Sequence, residues 1–272
     1  VALDARTGKR IWHFQAVHHG IWGYDFPAPP ILADVTVDGR RTRVTAQISK
    51  QAFDYLPDRA TGQPVWPIGE RPVERGDAPG EWYSPTQPFP TKPPAYELQG
   101  VSIDDLIDFT PELRKEAIEI ISRYKYGPLF TPFAIPGTPN GKEGTILSPG
   151  SIGGSNWPGA GLDPETGTMY VPSVKAPDIV ELVKSTHKDS NLPLVRRDAL
   201  RPAAYPPGPQ GLPSPFKPPY GRLTAIDLNK GEIAWTVANG DGPRDHPAIK
   251  DLNLPPLGNT GRVGPLVTKH FV

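Results

Sequence analysis

The sequence predicts an all-β fold of short strands and turns, in the form of a β-propeller. Proline and glycine supply 37 and 28 of the 272 residues, and a proline in a helix interior costs about 3 kcal/mol. Six Trp, nine Tyr and nine Phe give the chain core residues that disordered chains lack. A turn motif also recurs at separations of roughly 50 residues or more, which suits four-stranded propeller blades better than helical repeats.

The recurring motif has the form A-x-D-x-x-T-G-x-x-x-W. Its Asp can accept hydrogen bonds from the turn's backbone amides, its Gly can adopt positive φ, and the strand that follows delivers Trp. The motif Asp stands at Asp4, Asp58 and Asp227, with a degenerate copy at Asp163 that lacks the Trp. We expect the three motif tryptophans to pack between neighbouring blades: Trp12, Trp66 and Trp235.

A long insertion, at about residues 67–145, separates the second and third copies. Its segment 71–94 is rich in proline and is expected to be irregular. Thr110 and Pro111 are typical of a helix start, which predicts a helix over 111–124, outside the blades, and a stop at Gly127. A short helical turn is expected within 102–108, and residues 202–219 form a second proline-rich loop. Repeat copies flank both loops, so residues 1–272 are interpreted as part of one propeller domain.

Composition and charge exclude several functions. Lys plus Arg and Asp plus Glu are both 29, without the basic excess of a nucleic-acid binder. No apolar stretch long enough to span a membrane occurs, and the absence of Cys rules out disulfides and thiolate sites. The motifs of serine hydrolases, zincins and Rossmann dehydrogenases are missing. Because the chain starts without Met and ends in a strand-like segment, we expect it to be an internal piece of a longer protein.

Residues 18–30 hold the densest group of candidate functional side chains. If this segment is extended, Trp22, Tyr24 and Phe26 share a core face, and Asp25 lies on the opposite face with Gly23. Asp25 is read either as a turn-capping residue or as a functional carboxylate. The adjacent histidines, His18 and His19, point in opposite directions in a strand, so from spacing alone each is interpreted as a structural histidine.

Lys50 continues the buried stripe of its strand, in phase with Val44, Ala46 and Ile48. A lysine there is costly unless it is paired or reaches a cavity; the alternative is that it extends to solvent at the strand end. Further along, two glycines at 153 and 154 allow close approach of the backbone to a ligand, and Trp157 offers a stacking face.

Taken together, these segments resemble the PQQ-dependent dehydrogenases, PQQ being pyrroloquinoline quinone. The Asp-turn repeat resembles the tryptophan-docking motif of that eight-bladed propeller family. The pattern of His18, His19, Trp22, Asp25, Pro27, Ala28 and Pro30 is similar to the membrane-associated glucose dehydrogenase branch. Residues 48–53 resemble the segment of that branch carrying a quinone-contacting lysine, and Asn156 with Trp157 resembles the pair lining its quinone pocket.

The resemblance implies about half of an eight-bladed propeller, with PQQ near its axis and a Ca²⁺-type ion on the quinone carbonyl. It implies Lys50, His19, Asn156 and Trp157 as cofactor-binding residues, and Asp25 and Lys50 as catalytic residues. The substrate would be a sugar or an alcohol, and the electron acceptor a quinone. The implied location is the periplasm, with inner-membrane association through a part of the protein outside this chain.

One position departs from the family pattern. The family usually carries Asp directly after the Trp of residues 18–30, whereas this chain has Gly23. Glycine has no side chain to accept a proton, so Gly23→Asp is expected to raise kcat unless another carboxylate, with Asp25 the first candidate, serves as the base. The departure leaves a second function open, a non-catalytic propeller scaffold resembling outer-membrane assembly lipoproteins.

Overall fold

The computed structural model describes residues 1–138, 142–198 and 205–272. The described residues form fourteen strands and one α-helix. The strands are β1 (Ala2–Leu3), β2 (Arg10–Trp12), β3 (Ile31–Val37), β4 (Arg40–Ile48), β5 (Asp54–Tyr55), β6 (Ile68–Pro72), β7 (Thr86–Pro90), β8 (Thr145–Leu147), β9 (Gly161–Asp163), β10 (Thr168–Val174), β11 (Asp178–Lys184), β12 (Leu194–Asp198), β13 (Gly221–Asp227) and β14 (Glu232–Ala238). The helix α1 spans Pro111–Ser122, and three short 3-10 turns cover Ile103–Asp105, Pro209–Gly211 and Lys250–Leu252.

The strands form separate antiparallel sheets, consistent with a partial β-propeller as predicted. One sheet has four strands in the order β14-β13-β10-β9, another has the order β3-β4-β5, and β1 pairs with β2. The largest core between two sheets joins Val35 and Val44 of the β3-β4-β5 sheet to Met169, Val171 and Ile226 of the four-stranded sheet. These residues are almost fully buried, so apolar packing between blades holds the two sheets together.

The Asp turns have the predicted geometry. Asp4 accepts hydrogen bonds from the backbone N–H groups of Arg6 and Thr7 at 3.0 and 2.8 Å, and Asp58 is held in the same way within its own turn. These amides lower the pKa of both carboxyl groups. The glycine that closes the second turn, Gly62, has φ +74, a value that favours glycine over other residues.

Two of the three motif tryptophans dock on the next blade's turn, as predicted. Trp12 donates from Nε1 to the Arg59 carbonyl at 3.1 Å. Its ring covers Gly62 so closely that a Cβ there would lie 2.7 Å from the ring. Trp66 covers Gly231 in the same way, at 2.8 Å. Each docking tryptophan therefore sits on a glycine that could not carry a side chain without moving the ring.

The third tryptophan and the degenerate copy differ from the prediction. Trp235 is 40% exposed and packs on Tyr170 of its own sheet, with 5.8 Å between ring centroids. The degenerate turn at Asp163 joins β9 to β10 in the sheet that also carries the Asp227 turn. The two copies therefore belong to one blade. The motif thus recurs within a sheet as well as between sheets.

The predicted insertion contains the hairpin β6–β7 and the helix α1, and its residues 139–141 lie outside the described ones. Thr110 caps the helix by accepting a hydrogen bond from Leu113 N at 3.2 Å. The helix ends at Ser122, before the expected stop at Gly127. The expected turn within 102–108 is present as the 3-10 turn Ile103–Asp105. Within the described residues no helix is both long and apolar enough to cross a bilayer.

A second excursion leaves the four-stranded sheet after β10 and returns to it at β13. It carries β11 and β12, which form a three-stranded sheet with β8. The predicted loop 202–219 belongs to it, although residues 202–204 lie outside the described part of the chain. Phe216 of this loop and Tyr220, which follows it, pack with Leu113 and Ile121 of α1 in one buried cluster. The helix therefore lies outside the blade sheets, as expected, and supports the excursion.

Candidate active site

The insertion anchors residues 18–30 to the rest of the molecule. Trp22 is buried and donates from Nε1 to the Thr131 carbonyl at 2.8 Å. Tyr24 is buried too, and its hydroxyl donates to the Pro149 carbonyl at 2.7 Å. Both rings meet Phe130 edge-on, with centroids 5.0 and 5.9 Å apart. These two aromatic residues fix the segment, and the residues that alternate with them, Gly23 and Asp25, face solvent.

The segment departs from a regular strand at Gly23. Its φ of +77 lies in the left-handed region, which favours glycine. The prediction that Phe26 belongs to the core face is wrong, because the bent backbone leaves its ring 39% exposed. A Cβ at position 23 would lie 3.5 Å from Nη1 of Arg196. The position where the family has Asp therefore has room for a side chain beside a cation.

Lys50 follows β4 and turns towards Gly23 and Asp25. Its Nζ lies 2.6 Å from Asp25 Oδ1 and donates to the Gly23 carbonyl at 3.3 Å. The Lys50 side chain is 17% exposed and that of Asp25 is 60% exposed. Partial burial reduces screening of this ion pair by water. Lys50 is thus paired with Asp25, which offsets the cost of its position in the buried stripe, whereas a catalytic role for Asp25 stays a prediction.

The backbone at Gly153 and Gly154 packs closely against Lys50, and their approach to a ligand stays a prediction. A Cβ at Gly153 would lie 2.5 Å from Lys50 Cγ and 2.7 Å from Lys50 Cα. Gly154 donates to the Lys50 carbonyl at 2.9 Å, and its own carbonyl accepts from Val174 N at 2.9 Å. Gly153 and Gly154 are therefore packed against Lys50, and Gly154 also bonds to the end of β10.

Asn156 and Trp157 continue this loop. The Asn156 side chain donates to the Ile152 carbonyl at 2.6 Å and accepts from Trp157 N at 2.8 Å. Trp157 is 75% exposed, so its ring faces are open for stacking. The backbone of Lys50 contacts the base of the loop at Gly154. Its ammonium instead contacts Gly23 and Asp25. The Asn156 amide donates to Ile152 within the loop itself. The shared cavity of Lys50 with Asn156 or Trp157 stays a prediction.

His18 and His19 are held by the insertion. His18 Nε2 lies 3.0 Å from Glu70 Oε1, and His19 Nε2 lies 2.7 Å from Glu81 Oε1. The His19 ring also stacks on Trp82, with 3.8 Å between centroids. These contacts fit the structural interpretation of both histidines, and the role of His19 in cofactor binding stays a prediction.

Sequence reasoning missed Arg196, which reaches the site from β12. Its Nη1 donates to the Trp22 carbonyl at 3.0 Å, and its Nη2 donates to Ser151 Oγ. Ser151 N in turn donates to the Asp178 carboxylate at 2.5 Å. Arg196 and Lys50 therefore both contact the backbone next to Gly23, at the Trp22 carbonyl and at the Gly23 carbonyl. No local signal marks this arginine, because its place depends on how the excursion folds back over residues 18–30.

The residues around Lys50 fit a quinone better than they fit a metal ion. Two of the three N–H groups of the Lys50 ammonium have partners among the described residues, which leaves one donor for a carbonyl oxygen of PQQ. Ca²⁺ takes six to eight oxygen ligands. Within the described residues, no group of three or more His, Cys, Asp or Glu side chains could hold an ion.

The chain matches a known family and several curated proteins. The family model "Glucose/ethanol/alcohol dehydrogenase, beta-propeller domain", of the PQQ type, matches residues 1–272. The quinate/shikimate dehydrogenase (quinone) of Acinetobacter baylyi is 29% identical over 285 residues, covering 99% of this chain and 34% of the relative. The quinoprotein glucose dehydrogenase of Escherichia coli is 30% identical over 268 residues, covering 90% and 31%.

A solved structure also aligns with the chain. The quinohemoprotein alcohol dehydrogenase from Comamonas testosteroni has a TM-score of 0.48 at 20% identity, over 86% of this chain and 28% of that one. The fold and the family match together define a quinoprotein propeller. The chain belongs to the PQQ glucose/ethanol/alcohol dehydrogenase β-propeller family. It spans about a third of the length of the curated relatives it matches.

Proposed function

We propose that the protein is a PQQ-dependent dehydrogenase that oxidises a sugar or an alcohol in the periplasm and passes the electrons to a quinone acceptor. The observation that carries this proposal is the Lys50–Asp25 pair at 2.6 Å. Lys50 also contacts the glycine loop that leads to Asn156 and Trp157. Membership of the family supports the cofactor. The names of the two relatives support a substrate like glucose, quinate or shikimate, and the first name also supports a quinone acceptor.

The chain supplies two functions to such a reaction. Bound PQQ would supply the quinone that takes up hydride from the substrate carbon. The Lys50 ammonium would donate a hydrogen bond to a quinone oxygen and stabilise the negative charge that develops there. The Asp25 carboxylate, largely exposed and held by Lys50, would accept the hydroxyl proton of the substrate. Asp25 would thereby do the work of the carboxylate that Gly23 lacks.

Two substitutions in the intact protein test these roles. Lys50→Ala should weaken PQQ binding by roughly 10–100-fold, the range for a charged hydrogen bond of about 1.5–3 kcal/mol. Asp25→Asn should leave PQQ affinity nearly unchanged and lower kcat by about 10²–10⁴-fold, the usual contribution of a general base. PQQ affinity is measured by fluorescence titration, and kcat by dye reduction with aldoses, primary alcohols and quinate.

A matched lysine provides the control. Lys92 lies 3.5 Å from Glu232 on the surface, so Lys92→Ala should change neither PQQ affinity nor kcat. Equal PQQ affinity in the natural protein and Lys50→Ala would contradict the cofactor role. If the natural protein bound no PQQ at all, the non-catalytic scaffold would become the better description.

A further inference from the structure

The turn that carries Lys50 is held by a short segment of the insertion. Residues 49–52 form this turn after β4, with Ala52 N donating to the Ser49 carbonyl at 3.0 Å. The buried Tyr96 holds both ends of the turn. Its hydroxyl donates to the Ser49 carbonyl at 2.8 Å, and its backbone N–H donates to the Ala52 carbonyl at 3.2 Å. The position of Lys50 therefore depends on where Tyr96 lies.

The next residue, Glu97, packs against the glycine loop, residues 152–157. A Cβ at Gly154 would lie 3.1 Å from Glu97 Cβ and 3.0 Å from Ala52 Cβ. The Gly154 N–H also donates to the Lys50 carbonyl at 2.9 Å. Glu97, the Lys50 turn and the glycine loop thus meet at Gly154. Because protein interiors are close-packed, a shift of one of them displaces the others.

The Glu97 carboxylate ties this meeting point to the four-stranded sheet. The Glu97 side chain is 1% exposed, and one of its oxygens pairs with Arg222 of β13 at 2.9 Å and accepts from Leu98 N at 2.9 Å. The other oxygen accepts from Ser173 Oγ of β10 at 3.0 Å. A single carboxylate of the insertion thus contacts two adjacent strands of another sheet, and both of its oxygens have partners.

Arg222 pairs with Glu97 and with no other carboxylate among the described contacts. Its side chain is 16% exposed, and its Nε has no hydrogen-bond partner within the described residues. Its Nη2 also donates to a neutral group, the Pro219 carbonyl, at 3.2 Å. A buried cation without a carboxylate is costly, so this arginine favours the geometry in which Glu97 stays beside Gly154.

We propose that Glu97 is a positioning residue that holds the Lys50 turn against the glycine loop and so keeps the Lys50 ammonium in place for PQQ. It acts through Gly154 and through the backbone of Tyr96 rather than on the reacting atoms. The link to PQQ rests on the proposed function, whereas the positioning of the turn is measurable without the cofactor.

Hydrogen exchange in the intact protein without PQQ tests the positioning. Glu97→Gln keeps the size of the side chain and removes the charge that holds Arg222. The Gly154 amide should then exchange roughly tenfold faster, because a charged hydrogen bond no longer restrains the loop against local opening. The Thr45 amide, which donates to the Pro57 carbonyl at 3.0 Å in the same blade, should keep its rate. Equal acceleration of both amides would show general destabilisation and overturn the inference, as would an unchanged rate at Gly154.

Glu181→Gln is the matched control. The Glu181 side chain is 14% exposed and pairs with Arg197 at 2.7 Å, and none of its described contacts reaches the Lys50 turn, so exchange at Gly154 should stay unchanged. Removing one partner of a buried pair can also prevent folding of Glu97→Gln. Glu97→Gln combined with Arg222→Met then carries the test, because neither member of the pair keeps a charge. Fast exchange at Gly154 in that folded protein supports the inference, and the natural rate overturns it.

PQQ titration tests the link to the cofactor. Glu97→Gln should weaken PQQ binding roughly three- to tenfold in the natural protein and leave it nearly unchanged in a Lys50→Ala background, because the effect passes through Lys50. The absorption spectrum of bound PQQ should shift in the same direction in both single variants, since each alters the hydrogen bond that Lys50 would donate. Equal weakening in the two backgrounds would overturn the link. If Lys50→Ala left PQQ affinity unchanged, the proposed cofactor role would fail, and the exchange rate at Gly154 would still decide the positioning.

Discussion

The docking of Trp12 on Gly62 makes a quantitative prediction about the contact between blades. Gly62→Ala introduces a Cβ only 2.7 Å from the Trp12 ring. The ring must then move by roughly 1 Å to recover an ordinary carbon–carbon separation of about 3.5–4.0 Å. The substitution also places a side chain at φ +74. Both effects destabilise the folded state, and they can be separated by experiment.

Gly39 provides the matched control. It has φ +75 in the β3–β4 turn, and a Cβ there meets nothing within 4 Å. Gly39→Ala should therefore lower the free energy of unfolding only by the backbone cost of about 1–2 kcal/mol. Gly62→Ala should lower it by the same cost and by about 1–3 kcal/mol more for overpacking. The expected difference between the two variants is on the order of 1–3 kcal/mol.

The assay is thermal and denaturant unfolding of the intact protein and both variants. Trp12 fluorescence adds a local readout, because a displaced indole becomes more exposed in Gly62→Ala and not in Gly39→Ala. Equal destabilisation by the two substitutions would refute the docking argument. A Gly62→Ala variant as stable as the natural protein would also refute it, since neither cost would then be present.

Three further predictions concern titratable groups. Asp54 is fully buried, and neither of its carboxylate oxygens has a hydrogen-bond partner among the described residues. Burial therefore raises the pKa of this carboxyl group well above its ordinary value. The folded state therefore binds the extra proton, and stability falls as pH rises above about 4. Asp54→Asn should melt higher than the natural protein at pH 7, by roughly 1–3 kcal/mol, and close to it at pH 4; equal melting at both values would contradict this. Burial lowers the pKa of Lys175 from 10.5 to about 8. Between these pH values the unfolded state binds more protons than the folded state, so the free energy of unfolding should rise with pH. Lys175→Met should abolish this rise, and Lys217→Met should keep it. Gly23→Asp, added to Asp25→Asn, should restore part of the lost kcat, because the new side chain would lie beside Arg196. A double variant no faster than Asp25→Asn would show that position 23 does not reach the substrate.

Local signals in the sequence were sufficient for the elements that form from neighbouring residues. Asp4 and Asp58 predict their turns because the hydrogen bonds stay within three residues. Thr110 predicts the start of α1 for the same reason. The phase of Lys50 relative to Val44 correctly marked it as a lysine that needs a partner, whereas its pairing with Asp25 is seen only in the structure.

The remaining features depend on contacts between distant segments. Arg196 reaches Trp22 only because the excursion folds over residues 18–30, and nothing in its own strand indicates this. Trp235 carries the same motif as Trp12 and differs in what its blade packs against. Lys175 could have been predicted from the sequence as a second lysine in a buried stripe. It is in phase with Val171 and Ser173, which are buried on the same strand face, and this is the pattern that identified Lys50.

The two docking contacts differ in when they can form during synthesis. Trp12 meets Gly62 within the next repeat, so this contact is available as soon as the β3-β4-β5 sheet has left the ribosome. Trp66 meets Gly231 only after the whole insertion and excursion have been translated. Until then Val35 and Val44 lack the Met169 and Ile226 side chains that cover them. The nascent chain therefore carries an open apolar sheet face while the insertion and the excursion are being translated.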